Sequence, residues 1–180
     1  MRVFLGYVLE DEVGEFHSGL IDEIADTFHI PSLNDKFGPH ITFKEAFEIE
    51  PALWAPLGES LSTFATQHTP TRVTLGHWEH FGRTVVFRAV DPSTDFISMH
   101  RELFEILHKQ PVITFTEHDV VGSNYHLTVA KGITNIFTDV WHRVSQIKVE
   151  RKLITVKAFT AFSYENFQWH TIKTYPFESK

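Results

Sequence analysis

HITF at residues 40–43 and HLTV at residues 126–129 share one form: histidine, apolar residue, threonine, apolar residue. In a β-strand, residues i and i+2 point to the same face. His40 therefore projects beside Thr42 and His126 beside Thr128, while Ile41, Phe43, Leu127 and Val129 enter the opposite, apolar face. Taken singly, each motif reads as a hydrogen-bonded histidine on a strand with a threonine present for its β-propensity. The repetition carries more. With 12 histidines in the chain, roughly two His-x-Ser/Thr matches arise by chance, but only about 0.2 when threonine and both apolar flanks are required.

Working outward, residues 2–9 (RVFLGYVL) are a short β-branched and aromatic run that predicts a buried strand, followed by an acidic cluster. Phe16, Leu20, Ile21, Ile24 and Phe28 recur at helical spacing and predict a helix over 12–28, closed by Pro31. A loop then delivers HITF. Leu53, Trp54, Leu57, Leu61 and Phe64 predict a second helix after Pro51, and residues 71–78 and 84–90 a hairpin. The segment from Ser93 to Gln110 predicts a third helix with an apolar face of Phe96, Ile97, Leu103, Phe104, Ile106 and Leu107. A loop around EHDVVGSN leads to the strand YHLTVAK, a short helix near 133–145 and a β-rich tail over 149–177. Each half thus runs strand, helix, strand bearing a histidine, helix, strand. The two motif histidines stand 86 positions apart in a chain of 180, and no proline-rich or serine-rich linker divides it. The expectation is one domain over 1–180.

Composition narrows the functions. Hydrophobic residues at 42% and charged residues at 22%, with 17 phenylalanines, describe a folded globular chain. The absence of cysteine removes disulfides, thiolate metal sites and a cysteine nucleophile. The apolar run at the N-terminus is too short for a signal segment, and no stretch approaches the ~18 apolar residues of a membrane span, so a cytoplasmic protein without a membrane partner is expected. A net charge of -7 disfavours gripping a long RNA along its backbone. A small phosphate-bearing ligand in a local pocket remains compatible with it.

Two imidazoles facing each other across a groove support a specific chemistry. With an ordinary pKa of about 6.5, one ring is neutral and the other protonated near neutral pH. One removes a proton from the attacking oxygen while the other protonates the leaving oxygen. The threonine hydroxyls donate to nonbridging phosphoryl oxygens as charge develops there. Such a pair needs no metal and no cofactor.

PHITFKEAF and NYHLTVAKG resemble the paired signatures of the two-histidine phosphoesterase superfamily, in particular the 2'-5' RNA ligase-like proteins that include RNA 2',3'-cyclic phosphodiesterases. The likeness runs from MRVFLGYVLEDEV to AFTAFSYENFQWHTIKTYPF. It implies an α+β fold of two lobes with pseudo-twofold symmetry, antiparallel sheets around a central groove and helices outside. It also implies that His40, Thr42, His126 and Thr128 are catalytic or phosphate-binding, and that the substrate is a small nucleotide or an RNA terminus. The cyclic phosphodiesterase branch typically carries arginine after the second motif, where this chain has Lys131.

Lys131 and Lys44 follow the two motifs and are candidates for positive charge at the groove mouth, Lys131 the better one for phosphate. Tyr125 and Trp169, with Tyr164 and Phe47, are candidates for stacking on a nucleobase. HWEH at 77–80 places His77 and Glu79 on one strand face with His80 turned away, which is poor metal-site geometry. His17, His29, His100, His108 and His142 lie on or near helices and read as solvated or interfacial. The leading reading is a metal-independent phosphoesterase acting on a 2',3'-cyclic phosphate or a 2'-5' linkage. The alternatives are ligation in the reverse direction, or binding of a cyclic nucleotide or RNA terminus without turnover. A monomer is expected.

Overall fold

The first strand, β1 (Arg2–Val8), is buried through Val3, Phe4 and Leu5 on both of its faces, as its unbroken apolar run requires. The acidic cluster after it serves as a helix cap. Asp11 accepts from the backbone N–H groups of Val13 and Gly14 at 3.1 and 3.3 Å, and Glu12 and Glu15 lie in the first turn of α1 (Glu12–Phe28), where carboxylates meet the positive end of the helix dipole. A Cβ on Gly14 would lie 2.0 Å from the Leu9 carbonyl oxygen, so only glycine allows the helix to start this close to the end of β1.

The chain continues through β2 (His40–Glu48), α2 (Pro51–Gln67), β3 (Thr71–Phe81), β4 (Val85–Pro92), α3 (Thr94–His108), β5 (His126–Lys131), α4 (Phe137–Ser145), β6 (Lys152–Val156), β7 (Ala158–Glu165) and β8 (Gln168–Pro176). This computed structural model describes residues 1–36 and 38–178. The element order is the one the sequence predicts, with two differences. A 3-10 turn at Leu33–Asp35 interrupts the loop before β2. The last helix begins at Phe137 rather than near 133; its N-cap, Ile136, makes no side-chain capping bond, so the sequence carries no capping signal to mark the start.

All pairings are antiparallel and form two four-stranded sheets, ordered β2-β1-β7-β8 and β5-β4-β3-β6. The orders correspond strand for strand: β2 to β5, β1 to β4, β7 to β3 and β8 to β6. Each half contributes to the other sheet: β3 follows β2 and α2 yet joins β4, and β7 and β8 follow β6 yet join the sheet of β1. The halves are interlocked, which is why no linker divides them. A main core takes apolar residues from α2, α3 and the inner faces of both sheets, including Phe43, Leu61, Phe96, Leu103, Leu127 and Phe159. A second core packs Leu20, Ile21 and Ile24 of α1 with Val140 and Val144 of α4 over Trp78, Val86 and Val129. Helices thus cover one face of each sheet. Each motif strand is left at a sheet edge, with its histidine and threonine on the face away from the core. Among the described residues no helix is long and apolar enough to cross a membrane.

Candidate active site

The two motif strands are built alike. From His40 and from His126 the burial runs half-buried, buried, half-buried, buried, buried. Gly6 lies opposite Thr42 and Leu5 opposite Lys44, so Phe43 is an extra residue in its ladder. Phe87 lies opposite Thr128 and Val86 opposite Ala130, so Val129 is extra in the same way. A bulge directly after each threonine breaks the alternation and turns two consecutive residues inward. The residues so turned are Phe43 with Lys44, and Val129 with Ala130.

The imidazoles are held by equivalent bonds. His40 Nδ1 lies 3.0 Å from the Gly38 carbonyl oxygen and His126 Nδ1 lies 2.6 Å from that of Asn124. A carbonyl oxygen only accepts, so each Nδ1 carries a proton and each neutral ring keeps its lone pair on Nε2. Asn124 adopts a left-handed conformation, with φ of 62°, which asparagine tolerates better than most residues. Aromatic edges fix both rings further. Phe4 meets His40 at a centroid distance of 5.2 Å and an interplanar angle of 89°, and Phe81 meets His126 at 5.1 Å and 87°, with Phe87 at 5.0 Å. Phe4 reaches His40 across Gly6, where a Cβ would come within 2.8 Å of the Phe4 ring.

The charge of the His126 ring is felt at His40. Burial is the main reason that the His40 pKa falls from 6.5 to about 4; the Gly38 bond opposes the fall, and the charges of His126 and Lys131 add to it. His126 is also lowered, chiefly by burial and further by Lys131, against the Asn124 bond and Glu45. A proton on one ring therefore disfavours a proton on the other, and exposed Lys131 at the end of β5 acts on both. Thr42 and Thr128 stand half-buried beside their histidines.

Against this geometry, the profile of the 2'-5' RNA ligase superfamily matches residues 10–166. The chain belongs to the 2'-5' RNA ligase superfamily. Its fold is that of the two-histidine phosphoesterases. It superposes on TT0787 of Thermus thermophilus with a TM-score of 0.63 at 16% identity, covering 98% of this chain and 97% of that one. Escherichia coli LigT complexed with NADP+ gives 0.60 at 14% identity over 99% and 98%. Kluyveromyces marxianus Usb1 gives 0.61 at 14% over 97% of each. No curated protein matches the chain by sequence.

Other residues singled out by sequence fall in several places in this superfamily fold. Trp169 on β8 is half-buried and packs edge-on to Phe4 at 5.8 Å, one ring removed from His40. Tyr125 does not offer a stacking face. It is 7% exposed, packed edge-on to Phe96, with its hydroxyl 2.5 Å from His100 Nδ1. Phe47 is likewise core, whereas Tyr164 is exposed.

Lys44 is not at the groove mouth. The bulge turns it inward to 0% exposure, where Nζ pairs with Asp119 at 2.8 Å and lies over the rings of Phe47 and Phe115. His17 and His100 are not interfacial either, at 0% and 2% exposure. Both occupy the apolar stripe of their helices, His17 with Val13, Leu20, Ile21 and Ile24, His100 with Phe96, Leu103, Phe104 and Leu107. That spacing is present in the sequence and is the signal that places them inside. In HWEH, His77 Nε2 lies 2.9 Å from Glu79, while His80 turns to the Gly82 carbonyl and to Phe137 and Trp141.

Proposed function

We propose that this chain is a metal-independent phosphoesterase that hydrolyses a 2',3'-cyclic phosphate or a 2'-5' phosphodiester at an RNA end or in a small nucleotide, with His40 and His126 as its acid–base pair. The observation that carries the reading is the matched pair of Nδ1–H bonds to Gly38 and Asn124, which sets the same tautomer in both rings and makes Nε2 the atom that exchanges protons. One neutral ring takes a proton from water as the water oxygen bonds to phosphorus. The bond from phosphorus to the leaving ribose oxygen breaks, and the other ring, protonated on Nε2, delivers its proton to that oxygen. The products contain one added water, and the proton has moved from one ring to the other. Thr42 and Thr128 donate to the nonbridging oxygens, and Lys131 offsets their charge. Trp169 supplies an aromatic surface beside Phe4 for a base.

Support for a nucleotide ligand comes also from LigT, whose structures include complexes with ATP and 3'-AMP. The testing experiment incubates purified protein with 2',3'-cyclic mononucleotides, cyclic-phosphate-ended oligonucleotides and 2'-5' dinucleotides in EDTA, and assays ligation on the same termini. Hydrolysis that survives EDTA is expected. Ligation without hydrolysis, or unchanged ligand recovered after saturable binding, overturns the reading in favour of one of its two alternatives.

The lowered pKa values also predict a pH profile. The working form carries one proton on the pair. With the His40 pKa at about 4 and that of His126 also below 6.5, that form of the free protein is most populated on the acid side of 6.5. The optimum in kcat/KM is therefore expected below pH 6.5, and that in kcat higher, because a bound anionic phosphate favours the imidazolium. A kcat/KM optimum above pH 7 contradicts the assignment.

A further inference from the structure

Among the described residues, His100 is the α3 side chain that hydrogen-bonds toward both motif strands. Its Nε2 lies 2.6 Å from the Phe43 carbonyl oxygen, and its Nδ1 lies 2.5 Å from the Tyr125 hydroxyl. The carbonyl accepts, so Nε2 carries the proton, Nδ1 is an acceptor, and the Tyr125 hydroxyl donates to it. The hydroxyl oxygen in turn accepts from the Gly122 N–H at 3.1 Å. Every proton in this chain of bonds is assigned by the bond before it.

The two ends of the chain are telling. Phe43 follows Thr42 and is the extra residue at the first bulge of β2, without a partner in the β1 register. Tyr125 precedes His126. The motif strands pair with β1 and β4 and not with each other, so no ladder among the described residues fixes the distance between them. A second buried connection runs alongside, from Lys44 and the Glu45 N–H to Asp119, at 2.8 and 3.3 Å. Both tie β2 to the segment that enters β5. The corresponding helix, α1, provides no such link: His17 Nδ1 donates to Val13 of its own helix, and its Nε2 has no partner among the described residues.

We infer that His100 is a positioning residue, which with Tyr125 sets the spacing and register of the two His-x-Thr strands and so the fit of a phosphoryl group between His40 and His126. This rests on the proposed phosphoesterase reading. An error of about 1 Å in such spacing lowers turnover by roughly 10²-fold while leaving binding contacts largely intact.

The experiment compares His100→Phe, Tyr125→Phe and His100→Gln with Leu103→Ala, a core truncation on the same helix face, at a temperature where melting curves show all four folded. His100→Phe and Tyr125→Phe are expected to lower kcat about 10–100-fold with KM changed less than about threefold. His100→Gln, which keeps a donor and an acceptor, should recover most of it, and Leu103→Ala should keep kcat near the parent value. Parental kcat in both His100→Phe and Tyr125→Phe, or an equal loss in Leu103→Ala, overturns the inference. If the parent protein turns over no phosphodiester, the functional reading fails and the inference is decided by the imidazole NMR titrations of His40 and His126. Those are expected to move toward 6.5 and to lose their mutual influence in His100→Phe. Unchanged titrations overturn it.

Discussion

Over their first five residues β2 and β5 carry the same burial pattern, with a bulge after the threonine in each, yet the inward residue behind that bulge is Lys44 in one and Ala130 in the other. The helices that cover them differ in the same manner, with His100 bonded at both nitrogens and His17 at one. The motif faces of the two strands, with His40 and Thr42 on one and His126 and Thr128 on the other, are alike down to single hydrogen bonds, while the core faces are not. On the proposed phosphoesterase reading, a phosphoryl group between the two rings needs an equivalent imidazole from each side, which a common plan on this face supplies. Each core needs only to be filled and its polar groups satisfied, which many residue sets achieve.

The largest effect tests the motif faces. His40→Ala and His126→Ala are each expected to lower kcat by roughly 10²–10⁴-fold, and the double variant little further, because the rings act as one unit. Initial rates on a cyclic substrate measure this. Losses that multiply in the double variant, or affect only one histidine, break the likeness between the halves.

The next effect tests the core face. Lys44→Met leaves the Asp119 carboxylate, whose side chain is 1% exposed, without its cation. Leaving one member of a buried ion pair uncompensated costs about 3–5 kcal/mol. Denaturant unfolding of Lys44→Met should show a loss of that order, and Lys44→Met with Asp119→Asn should regain much of it. The equivalent exchange at the other bulge, Ala130→Ser, should cost far less, since it leaves no charge unpaired. Equal costs at the two bulges mean that the buried pair is not what distinguishes them.

Much of this arrangement is legible in the sequence. Periodicity places the strands and helices, and the repeated motif places each histidine beside its own threonine on one face of its strand, because strand geometry alone fixes what i and i+2 do. The bulges at Phe43 and Val129 are not legible, since an extra residue in a ladder depends on the register of a strand distant in sequence. The expectation for Lys44 fails for that reason: without the bulge it shares a face with Thr42, and with the bulge it turns inward. The expectation for Tyr125 fails because a tyrosine beside a candidate site reads alike as a stacking ring or as a core hydroxyl until its partner, His100, is known to lie across the core. Asn124 and Gly38 give no signal at all, since what they supply is a backbone carbonyl.

The smallest effect separates the two buried histidines. His17 Nε2 is a buried acceptor with no donor among the described residues, and such a group costs about 1–3 kcal/mol. His17→Leu removes that cost and keeps an apolar side chain at the position, at the loss of one bond to Val13. It should be neutral to stabilising at pH 7.5, whereas His100→Phe, which strands the Tyr125 hydroxyl and the Phe43 carbonyl, should be destabilising. Acid shifts both substitutions alike against the parent, since burial lowers the His100 pKa to about 4 as well. Burial lowers the His17 pKa to about 4 from 6.5, so between those values the unfolded chain binds a proton that the folded chain does not. Stability then falls as pH falls from 6.5 toward 4, by on the order of 3 kcal/mol for this group. His17→Leu has no such proton to bind, so its advantage over the parent should widen steadily from pH 6.5 to pH 4.5 in urea midpoints. A constant difference across that range would show that His17 takes up its proton without unfolding, and so that burial does not hold it as it holds His100.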